Sequence, residues 1–357
     1  MLPLIFAIYT AFLLRKASGF DCHSYSTVED LFYSKSSSTV AQLGGRVDGV
    51  GALLQHSLYL TAYVRHRGWG VGEVLRQLAG PSDHAINKTL FLDFMFPNIT
   101  KIGKSTKSGQ PLHVVKVRNT RDLDALGTVK DTAYEVHSSQ FDLEVIADKK
   151  GQTLDDYFTS DFLTIMRNLT KCSVERELAE RSLYHKDDGK KLRVVAHVRR
   201  GDVKKDAESR WTPDAFFIGV LKEIRYMYPH AELHVFSSKT DPLGDDMVWK
   251  EFWDSGIHVH VTNEYLANNT EQTLTALAHF MSADVFMMSK STFSSMPAFY
   301  NPNCVLYTPF YHGRLKNWIV LPADFNLEAA KVVLKSQLVA CIEGLRHPHL
   351  KGSITTR

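Results

Sequence analysis

The stretch LRVVAHVRRGDV, Leu192–Val203, decides how the chain is read. Its first half is apolar enough for a buried strand over Arg193–Val198, yet it stops on two arginines, a glycine and an aspartate. Residues two apart in a strand share a face, so His197 and Arg199 point the same way while Arg200 opens the turn. Gly201 lets the backbone turn sharply, and Asp202 is placed to orient an arginine or cap the next element. Two permanent cations at a strand end call for an anion. Arginine suits a diphosphate, because its planar fork makes bidentate, charge-assisted bonds. A structural Arg–Asp salt bridge closing a surface turn is the other reading these residues allow.

Downstream, strand and helix patterns alternate. Residues 212–229 carry Phe216, Phe217, Val220, Leu221, Ile224 and Met227 on one helical face, with Pro213 in the first turn. AELHVFSS (231–238), IHVHV (257–261), DVFMMS (284–289) and CVLYTPF (304–310) read as strands. Segments 245–256, 270–282 and 327–346 read as helices. This alternation predicts a mostly parallel sheet covered on both faces, with ligands just outside the carboxyl ends of its strands. Where DVFMMS ends, hydroxyls crowd Ser289–Ser295 before an apolar helix start at Met296–Tyr300. Hydroxyls and unpaired N–H groups at a helix N-terminus bind anions without a metal.

Upstream, Thr39–Leu43 reads as a strand, Gly44–Gly51 as a glycine-rich turn containing Gly44 and Gly45, and Ala52–His66 as a helix. Strand, glycine turn and helix open a doubly wound unit, although no G-x-G-x-x-G is present. The turn reads equally as a binding loop or as plain structure. Pro111–Arg118 is a second strand candidate, and 134–148 holds a third. The polar stretch Tyr184–Leu192 reads as a linker. The expected fold class is therefore α/β, with two Rossmann-like, doubly wound domains facing a cleft. Residues 20–185 would form the first, 190–325 the second, and 326–357 a closing helix and tail.

At 44% hydrophobic over 357 residues the chain can bury a sizeable core, which excludes a disordered class. A net charge of +3 gives no basic footprint, so no nucleic-acid partner is expected. The apolar run Leu2–Leu14 is short for a bilayer span but fits a signal h-region, with Ala17 and Gly19 at a peptidase-compatible spacing. Residues 1–19 are thus read as a signal peptide or short anchor. N-x-[ST] sequons stand at Asn87, Asn98, Asn168 and Asn268. The four cysteines, Cys22, Cys172, Cys304 and Cys341, show no metal-binding spacing; in an oxidising compartment they could form two disulfides by any of three pairings. These features fit the secretory pathway, in the Golgi or ER lumen, with membrane contact only through an uncleaved N-terminal segment.

His197-Val-Arg-Arg-Gly-Asp202 resembles the H-x-R-R-x-D motif of GDP-fucose-dependent fucosyltransferases, best matched in the α1,2 group. SADVFMMSKSTFSSMPAFYN resembles the later motif of that superfamily, and GGRVDGVGALLQHSLYLTAYVRHRG its opening glycine loop. The resemblance implies a GT-B-like fold and inverting transfer of fucose from GDP-β-L-fucose to a glycan or glycoprotein hydroxyl, without a metal or other cofactor. It puts Arg199 on the β-phosphate, with Arg200 assisting or holding the loop and His197 on the nucleotide. Ser291, Thr292, Phe293 and Ser294 complete the cradle. The chain differs from the family at Arg46-Val47-Asp48, at Ala276, where the family has an acidic residue, and at Ser295-Met296.

Ala276 leaves room for another nucleotide sugar on the same fold. A catalytically silent glycan-binding protein is a third reading, opposed by the desolvation that two unused arginines would suffer. A general base is not evident: Asp202 is most simply structural, and Asp48, Asp206 and Glu208 are unranked candidates. Asp122-x-Asp124 reads more simply as solvated carboxylates than as a metal pair.

Overall fold

The computed structural model describes residues 40–44, 50–71, 88–95, 113–117, 123, 125–128, 132–137, 141–184, 191–200, 203, 210–238, 249–262 and 269–346. Its elements are mixed α/β, and every strand pair is parallel. The upstream half contributes β1 (Val40–Gly44), α1 (Val50–His66), β2 (Gly70–Val71), α2 (Lys88–Met95), β3 (His113–Val117) and β4 (Thr132–His137). Then come α3 (Leu143–Lys149), α4 (Leu154–Tyr157) and α5 (Ser160–Arg181). The first sheet has the order β2-β1-β4-β3.

The downstream half runs β5 (Arg193–His197), α6 (Asp214–Met227), β6 (Glu232–Ser238), α7 (Lys250–Asp254), β7 (His258–Thr262), α8 (Asn269–Ser282) and β8 (Val285–Met287). It continues with α9 (Thr292–Tyr300), β9 (Cys304–Tyr307), β10 (Ile319–Val320), α10 (Leu327–Val333) and α11 (Val339–Arg346). One π-helical stretch, Leu334–Leu338, joins the last two into a single rod. The six-stranded order β10-β9-β8-β5-β6-β7 is the doubly wound arrangement. The expected helix at 212–229 forms, but Pro213 caps it from outside and does not sit in its first turn.

Period-two alternation explains how this sheet is covered on both faces. Val194, Ala196 and Val198 pack with α6, α7 and the closing rod through Phe217, Leu221, Phe252, Leu334 and Leu338. Val195, Phe286, Met288 and Val305 face the other way, into a core shared with the upstream half. That second core takes Leu58, Tyr59 and Tyr63 from α1, Phe162 and Met166 from α5, and Phe280 and Phe299 from α8 and α9. At its centre Phe158 stacks on Phe299 with centroids 4.4 Å apart. Arg167 of α5 donates to the carbonyls of Phe299, Tyr300 and Asn301 at 3.1–3.2 Å, placing a cation on the carboxyl end of α9, where the helix dipole favours it.

The stretch read as a linker starts from an anchored residue. Leu183 N–H donates to His279 Nε2 at 3.0 Å, and the Tyr184 hydroxyl donates to the His279 carbonyl at 3.2 Å. Cys304 and Cys341 are joined by a disulfide that ties β9 to α11, and Cys172 is also disulfide-bonded. Among the described residues no helix is long and apolar enough to cross a membrane.

Candidate active site

Strand order reverses between β5 and β8, because the chain winds outward from β5 through β6 to β7 and then returns to β5's other side. The connections that follow β5 and β8 therefore leave in opposite directions, which is where such sheets usually form a ligand crevice. This topology brings together two stretches 92 positions apart. Ser289 Oγ lies 2.8 Å from His197 Nδ1, and Arg199 Nη1 donates to Ser291 Oγ at 3.1 Å.

His197 is buried beneath the crevice, its ring between Phe280 and Phe293. Burial first, then the Arg199 and Arg200 charges, push its pKa down to about 3, so the imidazole is neutral. Ser291 caps α9, its Oγ accepting from Phe293 N–H at 3.2 Å. Ser294 is fully buried and donates to the Ser289 and Ser291 carbonyls, both at 3.0 Å. Ser294 and His197 thus hold the loop from below, while Arg199 and Ser291 meet at the crevice.

The glycine turn reaches the same place. A Cβ on Gly51 would lie 2.8 Å from the Phe293 nitrogen and 2.9 Å from its Cα. Only a residue without a side chain lets the first turn of α1 approach the first turn of α9 so closely. Two helix N-termini and one guanidinium then converge, each carrying partial or full positive charge.

Arg200 lies on the opposite face from Arg199, as the alternation of β5 would place it if carried past His197. Its guanidinium pairs with Asp214, donates to the carbonyls of Arg199 (2.6 Å) and Thr212 (3.1 Å), and lies 3.7 Å above the Trp211 ring. These contacts tie Arg200 to the residues at the start of α6.

Thr292 leads to residues that carry no motif. Its Oγ1 is 3.0 Å from His312 Nε2, and His312 Nδ1 is 3.3 Å from Glu144 Oε1 and 3.0 Å from the Gln55 amide nitrogen. Glu144 Oε1 also accepts from the Tyr59 hydroxyl at 2.7 Å, and Oε2 from Gly313 N–H at 2.8 Å. Burial pushes the Glu144 carboxyl up, but hydrogen bonds with His312, Tyr59 and Gly313 outweigh it and hold the group below its ordinary value. His312 follows β9, at the carboxyl end of a strand, so the placement rule for parallel sheets could have flagged it.

Gly44 ends β1. Gly45, Asp202, Asn87, Asn98 and Asn268 lie outside the described residues, as do Cys22, Asp48, Asp122, Asp124, Asp206, Glu208 and residues 1–19. Asn168 is exposed on α5. Ala276, the position of the family's acidic residue, is buried in the shared core, 4% exposed. Among the described residues no group of three or more His, Cys, Asp or Glu side chains is arranged to hold a metal ion.

No family model matches the sequence. No curated protein matches it either. Among solved structures, a crystal structure of POFUT1 in complex with GDP is similar at 10% identity, covering 74% of this chain and 94% of that one with a TM-score of 0.31. A second crystal form of POFUT1 in complex with GDP gives 11%, 75%, 97% and 0.33. Scores this low leave fold and site to the chain's own topology and contacts.

Proposed function

We propose that the chain is an inverting fucosyltransferase, moving fucose from GDP-β-L-fucose to a hydroxyl of a glycan or glycoprotein. The observation that supports this most is the Arg199–Ser291 contact at the strand-order reversal, where the first turns of α1 and α9 meet. A leaving GDP gains negative charge as the sugar–oxygen bond breaks, and preorganised donors at that point lower the barrier. Arg199 takes the β-phosphate, with Ser291 and Thr292 beside it. His197, Phe293, Ser294 and Arg200 keep the cradle in shape, and Gly44 and Gly45 are assigned to the same donor site. Asp202, beside the arginines in sequence, is assigned to the same turn.

In this reading the fold is GT-B-like, with residues 20–185 on the acceptor side and 190–325 holding the donor across a cleft. The charge comes from the protein, so no metal is invoked. Residues 1–19 direct the chain into the secretory pathway, where the sequons and disulfides belong. A second reading keeps the fold and changes the nucleotide, favoured by Ala276, which lies in the core where it cannot read a base. Incubating the full chain with radiolabelled GDP-fucose, GDP-mannose and UDP-galactose over a mixed glycoprotein panel separates the two. Fucose transfer alone supports the proposal; transfer only from another donor moves it to the second reading. No transfer, with no binding of any of the three, favours a silent protein.

A further inference from the structure

Taking the fucosyltransferase reading as given, we infer that Thr292, His312 and Glu144 form the proton path for the acceptor, with His312 Nε2 as the general base. The series is hydroxyl, imidazole and carboxylate at 3.0 and 3.3 Å, the arrangement that lets a weak oxygen acid lose its proton in a transition state. It starts at Thr292, one residue from Ser291 and the Arg199 contact, so the proton path begins beside the leaving group.

Groups from every neighbouring element set the proton positions. Glu144 on α3 already accepts from Tyr59 and from Gly313 N–H, so its Oε1 facing Nδ1 is a carboxylate oxygen and favours the Nδ1–H tautomer. The proton path requires the Gln55 amide, whose nitrogen stands 3.0 Å from Nδ1, to turn its oxygen to Nδ1–H. His56 on α1 is held by the Phe141 carbonyl at 3.1 Å, and Asp142 caps α3. Tyr307 on β9 donates to the His312 carbonyl at 2.6 Å, fixing the backbone, while the Phe310 and Tyr311 rings flank the imidazole. Nε2 is left as an acceptor facing the Thr292 hydroxyl. The His312 and Glu144 side chains are 16% and 23% exposed.

The step balances. The acceptor oxygen forms a bond to fucose C1 as the bond from C1 to the β-phosphate oxygen breaks, its electron pair leaving on GDP. The acceptor proton passes to Thr292 Oγ1, whose own proton goes to His312 Nε2. Glu144 stabilises the imidazolium. Because α1 and α3 supply Gln55, Tyr59 and Glu144 while α9 and the β9 loop supply Thr292 and His312, both halves of the chain complete the path.

Water serves as the acceptor in the test, so no acceptor need be known. GDP release from GDP-fucose and binding of GDP are measured for the full wild-type chain, His312→Gln, Glu144→Gln, Thr292→Val and Thr292→Ser across pH 5–9. The inference expects GDP affinity within about threefold of wild type in His312→Gln and Glu144→Gln. Release should fall about 100-fold or more in His312→Gln. Thr292→Ser should exceed Thr292→Val. Wild-type release rates in His312→Gln and Glu144→Gln that still bind GDP overturn the proton path and leave the donor reading intact. So does a wild type that binds GDP but releases none from the donor. A wild type that does not bind GDP overturns the donor reading, and this inference with it.

Discussion

Gly51→Ala sets two known effects against each other, and the distances decide the sign. Alanine in a helix is favoured over glycine by up to about 1 kcal/mol, and by less in a first turn. Against this, the new methyl would sit 2.8 and 2.9 Å from the nitrogen and Cα of Phe293. Those are backbone atoms that cannot rotate aside, so the two helix starts must part by roughly 0.6 Å to reach ordinary contact. Overpacking of this kind costs about 1–3 kcal/mol, which outweighs the propensity gain. The net loss is about 1–2 kcal/mol, a fall in Tm of roughly 2–6 °C by calorimetry. Separating two helix N-termini also weakens an anion site, by about threefold to tenfold in GDP affinity. Gly127→Ala, where a Cβ meets nothing within 4 Å, serves as the control and should not move GDP binding. A Gly51→Ala protein with wild-type or higher Tm and full GDP affinity would show that the close approach does not exist in solution.

Three further outcomes are expected. Burial first of all depresses the pKa of His260 and His279 to about 4 and of His197 to about 3, each from 6.5. The unfolded chain therefore takes up protons before the folded one, so stability is full above pH 6.5 and falls as pH drops toward 4. A loss of roughly 5–6 kcal/mol between pH 7 and 5 is expected in urea titrations, and a pH-independent midpoint would refute it. Asp214→Ala strands the buried Arg200 guanidinium, 4% exposed, and should destabilise by about 3 kcal/mol in the same assay. Replacing both Cys304 and Cys341 with alanine opens a link spanning 37 positions, and should lower stability by about 4 kcal/mol.

Much of the downstream fold was legible, because buried strands and one-sided helices carry their period in the residue types. The contrast between Val194, Ala196 and Val198 on one face and Val195 and His197 on the other is visible in the letters of LRVVAHV alone. The same alternation separates Arg199 from Arg200. Reading them as a pair followed the motif rather than the period, and Asp214, Arg200's partner, lies 14 positions away on another element. Gly51 belongs to a glycine-rich stretch, but nothing local says that its missing side chain makes room for Phe293. Helix α5 has Phe162, Met166 and Leu169 at helical spacing, yet its many charged residues hide them. Glu144 and His312, 168 positions apart, meet only through the packing of both halves. Single-residue chemistry that depends on such tertiary contacts has no periodic signal to read.

The most direct test of the anion site is metal-free isothermal calorimetry of GDP binding to the full chain and to Arg199→Ala. Loss of one charge-assisted donor should weaken GDP about 10-fold to 100-fold while the variant keeps its wild-type Tm. Equal GDP affinity in Arg199→Ala, or no binding by the wild type, would mean that the arginine at the end of β5 holds no diphosphate.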